Sequence, residues 1–73
     1  MMKNCNHDLI QQLSECMDSL WRYDEYIKNA QESGCGKCVE LWQKMKELTK
    51  EQIKLLKQYL EECIKEGKFE FLE

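Results

Sequence analysis

Cys35 and Cys38, in the run SGCGKC, are the residues of this chain whose type and spacing best suit chemistry. A CxxC pair has three uses. As thiolates it holds a metal, as a dithiol it cycles to a disulfide, and between glycines it simply turns the chain between two helices. Cys5, Cys16 and Cys63 bring the total to five. An odd number suits a disulfide framework poorly, and a reducing cytosol keeps thiols free. That leaves buried small hydrophobes, metal ligands or redox thiols.

The elements that must position these thiols are legible as periodicity. Leu9, Leu13, Cys16, Leu20, Tyr23, Ile27 and Ala30 follow one another in steps of four and three, the seam of a helix packed on other helices. This predicts a first helix over about 7–32. Asn4 or Asn6 is the expected cap, Asp8 lies in the first turn, and Gly34 is the left-handed residue beyond its end. Ile10, Met17, Trp21 and Tyr26 flank the seam and widen the apolar face beyond what one partner helix covers.

A second helix is expected over about 37–66, after a turn at 33–36. It carries two apolar stripes. Cys38, Leu41, Met45, Leu48, Leu55 and Tyr59 form one, and Val39, Trp42, Ile53, Leu56, Leu60 and Cys63 the other. Two stripes imply two neighbours. Lys44, Glu47, Lys50, Lys54, Lys57, Glu61 and Lys65 make a solvated outer face, helped by the pairs Glu40 with Lys44 and Glu61 with Lys65. Gly67 ends the helix, and a tail over 67–73 follows, whose Phe69, Phe71 and Leu72 should dock somewhere. One local signal competes: TKEQ at 49–52 is a capping-box pattern that would start a new helix and give a three-helix bundle. The absence of Gly and Pro over 37–66 favours one long helix.

Composition agrees with this all-α reading. No proline, three glycines, 42% hydrophobic and 34% charged residues describe a mostly helical, foldable chain. A 73-residue domain buries only about 60% of the surface its unfolded chain exposes, so its core needs a partner, a metal or disulfides. The economical solution is a homodimer in which two hairpins form a four-helix bundle. The net charge of −3 has the wrong sign for displacing counterions from nucleic acid. No apolar run is long enough to span a bilayer, and the start MMKNCNHD lacks a signal-peptide core, so the chain reads as cytoplasmic.

The runs LWRYDEYIKNAQ, LWQKM and IKLLKQYLEECIKEGKF give the chain a resemblance to small ferritin-like or rubrerythrin-like helical-hairpin proteins. In iron-binding members of that family, carboxylates and a Glu-x-x-His face inward around a di-iron centre. At the matching inward positions this chain has Thr49 and Gln52, so the motif is missing. The seam of the first helix carries no Glu, Asp24 lies only at its edge, and the one histidine, His7, is near the terminus as a solvated first-turn residue.

With the helices in place the CxxC has its three readings in physical form. As a turn, the glycines permit the corner and the cysteines fill the core's end. As a redox site, Cys35 precedes a helix N-terminus, whose dipole, with Lys37, lowers a thiol pKa, although a thioredoxin-type site also uses strands and a cis-proline. As a metal site, two hairpins packed head to tail would bring Cys35 and Cys38 of one chain beside Cys5 and Cys63 of the other. Such a set suits zinc, iron or an iron–sulfur cluster. Within one hairpin these pairs are about 40 Å apart.

Trp21, Tyr23, Tyr26, Trp42 and Tyr59 read chiefly as core aromatics; Trp21, Tyr26 and Trp42 are the candidate partner-binding residues. No paired inward carboxylates, nucleophile–base pair or phosphate loop stands out, so no catalytic residue is assigned. The expected function is a non-enzymatic helical interaction or assembly module without a cofactor. The alternative is a thiolate metal-binding or electron-transfer protein.

Overall fold

The computed structural model describes residues 4–67, with side chains from His7 onward. Two helices, α1 (Asn4–Glu32) and α2 (Gly36–Lys65), pack against each other as an antiparallel hairpin about 50 Å long. Neither contains a residue that would break it. α2 therefore passes through Thr49 without interruption, and the three-helix alternative is overturned. The capping-box pattern is silent because Thr49, only 6% exposed, is used inside the helix pair instead of at a helix start.

The connection is made by local rules. Gly34 adopts φ +71, the Ser33–Gly34 turn closes on Gln31 and Ala30, and the amides of Gly34 and Cys35 donate to those two carbonyls at 3.1 and 2.9 Å. This is the paired hydrogen bonding of a Schellman cap. Gly67 takes the same left-handed conformation past the end of α2, with its amide donating to the Ile64 carbonyl. Lys65, in the last turn, suits the negative end of the helix dipole.

α1 starts three residues earlier than the periodicity indicates, because the pattern marks where packing begins and nothing in Asn4, Cys5 or Asn6 prevents helix. Asp8 consequently falls beyond the first turn, which has no acidic residue. The capping side chains expected at Asn4 or Asn6, and the tail with Phe69, Phe71 and Leu72, lie outside the described residues.

All seven seam residues of α1 are buried or half-buried, and Cys16 and Ala30 are the apolar residues most completely enclosed among those described. From α2, the stripe of Val39, Trp42, Ile53, Leu56, Leu60 and Cys63 faces α1, joined by Cys38, Met45 and Thr49. Across the pair, Cys16 meets Gln52, Asp24 meets Lys46, and Tyr23 meets Trp42. These contacts fix one register along the hairpin.

Seven of the nine large apolar side chains left exposed among the described residues fall into two stripes, one on each face of the hairpin. A groove lined by Glu15, Cys16, Leu48 and Thr49 puts Glu15 and Leu48 on the same side of the buried pair. At about 100° per residue, Met17 and Lys50 must then lie on the opposite side. The same arithmetic places Leu41, Leu55 and Tyr59 with Leu48, and Ile10 and Trp21 with Met17. Each of these seven is an exposed large apolar residue. One face thus carries an α2 stripe and the other an α1 stripe, and neither is covered.

Candidate functional site

The best-built cluster of reactive side chains is at the turn. Cys35 is the N-cap of α2, with φ −95 and ψ 88, and its carbonyl accepts the Val39 amide at 3.1 Å to open the helix. Its Sγ accepts the backbone N–H of Cys38 at 3.4 Å. A thiol here occupies the place that Ser, Asn or Asp usually fills, satisfying one of the unpaired amides of the first turn. Both cysteines are half-buried free thiols.

The two thiols are electrostatically unequal. Cys35 is held below the ordinary thiol pKa, first by a hydrogen bond from the Cys38 side chain, then by the Cys38 amide, with the Lys37 amide adding to it. Cys38 is pushed up, chiefly by its hydrogen bond to Cys35, then by desolvation and by repulsion from a Cys35 thiolate. The pair therefore has one thiol inclined to ionise and one inclined to keep its proton.

Beside them opens a cleft of about 540 Å³ lined by Tyr26, Asn29, Ala30, Ser33 and Trp42 as well as the two cysteines. Its aromatic wall is organised. Tyr23 stacks on Trp42 with ring centroids 5.8 Å apart, and Tyr26 lies 5.0 Å from Trp42 in a tilted contact. Tyr23 and Tyr26 meet edge to face at 6.3 Å. The aromatic cluster expected from sequence is thus three residues. Trp21 stands apart, 80% exposed among Asp24, Glu25 and Lys28 on the opposite face, and exposed Tyr59 lies toward the far end of α2. Of the candidate partner-binding residues, Tyr26 and Trp42 belong together and Trp21 does not join them.

The other thiols sit elsewhere. Cys16 is 3% exposed at mid-hairpin, where its Sγ donates to Gln52 Oε1 at 3.6 Å and accepts from Gln12 Nε2 at 3.7 Å. Cys63 is half-buried near the end of α2, away from the turn. Cys5 lies in the first turn of α1, with its side chain outside the described residues. Among the described residues no group of three or more His, Cys, Asp or Glu side chains is placed to hold a metal within one chain. His7 is exposed and lies 3.6 Å from Asp8.

Sequence reasoning did not find the Gln12–Cys16–Gln52 contact. The only available signal was a small sulfur residue, Cys16, at a seam position with an amide, Gln12, one turn before it, a pattern shared with ordinary packing. No helix among the described residues is long and apolar enough to cross a membrane. No family model, curated protein or solved structure matches the chain.

Proposed function

We propose that this chain is a small non-enzymatic interaction and assembly module that works as a dimer, two hairpins forming a four-helix bundle. The observation that carries this reading is the pair of uncovered stripes on opposite faces, Leu41, Leu48, Leu55 and Tyr59 on α2 and Ile10, Met17 and Trp21 on α1. A two-helix layer has one internal seam, and it is already filled. Covering the remaining half of a leucine such as Leu48 contributes about 1 kcal/mol, so a row of them repeated in two chains supplies a real driving force.

The α2 stripe is the stronger candidate for self-association. Its leucines recur at intervals of seven residues, the spacing that lets two helices mesh along their length. The α1 stripe, ending in Trp21, then stays available on the outside of the dimer for a protein partner. Aromatic residues of this kind are the usual anchors of such contacts.

A thiolate metal site is the second reading. Cys35 and Cys38 lie at the turn end and Cys63 at the other, all half-buried, so head-to-tail pairing would bring these thiols together between chains. Cys5, in the first turn of α1, would supply the fourth. Four thiolates suit zinc, iron or an iron–sulfur cluster.

Native mass spectrometry on protein purified without oxygen tests both. The expected species has twice the 8.8 kDa chain mass. Added metal or cluster mass would favour the thiolate site, and a bare single chain would overturn the dimer.

A further inference from the structure

We propose that Cys35 and Cys38 form a thiol–disulfide exchange site that accepts small disulfides in the cleft beside Tyr26 and Trp42. The geometry supplies the three parts such a site needs. The first is a pair of thiols close enough for the Cys38 side chain to hydrogen-bond Cys35. With Cys35 at the N-cap and Cys38 in the first turn of α2, a disulfide needs their Cβ atoms to come to about 3.5–4.5 Å, a closure confined to that one turn. Their present contact, the Cys38 amide on Cys35 Sγ at 3.4 Å, already holds Cys35 over that turn.

The second part is a division of labour. The Cys38 side chain, the Cys38 amide and the Lys37 amide all favour the Cys35 thiolate, and that thiolate in turn keeps the proton on Cys38. Cys35 is thus the attacking sulfur and Cys38 the resolving one. The third part is space. The cleft is lined by both cysteines and offers an apolar and aromatic wall from Ala30, Tyr26 and Trp42, with Asn29 and Ser33 as polar groups. It lies at the turn end, one turn before Leu41, where the α2 stripe begins. At about 540 Å³ the cleft is in the size range of small-molecule sites, which fits low-molecular-weight disulfides.

In the first step the Cys35 thiolate attacks one sulfur of the disulfide RSSR. A Cys35–SR mixed disulfide forms and RS⁻ leaves, to be protonated by water. Cys38 then gives up its proton and attacks Cys35 Sγ, which expels the second RS⁻. The chain loses two electrons and two protons, and the disulfide becomes two thiols. Cys16 cannot substitute, being enclosed between Gln12 and Gln52.

The test is to mix the reduced full chain with glutathione disulfide and follow intact mass. Two glutathiones should be released per chain, leaving an internal bond and no stable adduct on either residue. Trypsin cleaves after Lys37, so that bond appears as a linked pair of peptides carrying Cys35 and Cys38. Cys38→Ser should trap one glutathione on Cys35, and Cys35→Ser should abolish release at this site. Cys35 should react at least about tenfold faster than Cys63 at neutral pH. A wild-type chain that accumulates the Cys35 adduct, or in which Cys35 reacts no faster than Cys63, would overturn the proposal. The wild-type readout does not depend on either variant folding.

Discussion

The thiol of Cys16 donates to Oε1 of Gln52 at 3.6 Å, joining residues thirty-six apart in the chain at the middle of the hairpin. With Gln12 donating to the same sulfur, a polar contact occupies the most enclosed position of the helix pair. Removing it by Cys16→Ala leaves a small void and frees the amide. The expected loss is about 1–2 kcal/mol, read from chemical denaturation. No loss would mean that the contact does not contribute to the hairpin's stability.

The two glycines of SGCGKC should respond oppositely to alanine. Gly34 holds φ +71, so although its surroundings are open, Gly34→Ala should cost about 1 kcal/mol in backbone strain. Gly36 opens α2 with equally open surroundings and no positive φ, so Gly36→Ala should stabilise by several tenths of a kcal/mol. Thermal unfolding of the two variants is sufficient to see the sign of each.

The tryptophans should also separate. Trp42 is half-buried and stacked with Tyr23, and Trp42→Ala should cost about 3 kcal/mol. Trp21 is 80% exposed, and Trp21→Ala should change stability by under about 0.5 kcal/mol while weakening capture of a partner. Equal effects on unfolding would contradict the placement of the two rings.

For pH, the direction differs between the thiols of the turn. Cys35, lowered in the fold, adds stability that is present above the unfolded thiol pKa and is lost as pH falls through its folded value. Cys38, raised, adds stability that is present below the unfolded thiol pKa and is lost as pH rises through its folded value. The two contributions oppose each other, so stability is a poor reporter and reactivity a good one. Alkylation of Cys35 should set in at lower pH than alkylation of Cys38, measured by peptide mapping after brief exposure to iodoacetamide.

Much of this fold was legible in the sequence because helix packing leaves a periodic trace. Each seam residue from Leu9 to Ala30 faces α2, and Gly34 and Gly67 mark the ends where a left-handed residue is required. Which of the two α2 stripes would meet α1 was not legible. Both are apolar and adjacent, and the choice between them is a rotation of α2 about its own axis that shows only in contacts such as Trp42 stacked on Tyr23. The opposition of the α1 and α2 stripes follows from that choice, so it too required the structure. Spacing alone likewise could not separate Trp21 from Tyr26, because flanking positions on the two sides of a seam are equivalent until a partner is placed.

The most direct measurement is sedimentation equilibrium of the wild-type chain and of Leu48→Glu at micromolar concentration. The wild type should have twice the 8.8 kDa chain mass, and Leu48→Glu, with a charge placed on the α2 stripe, should shift toward one chain. A wild type of single-chain mass, or one unaffected by the substitution, would contradict the dimer.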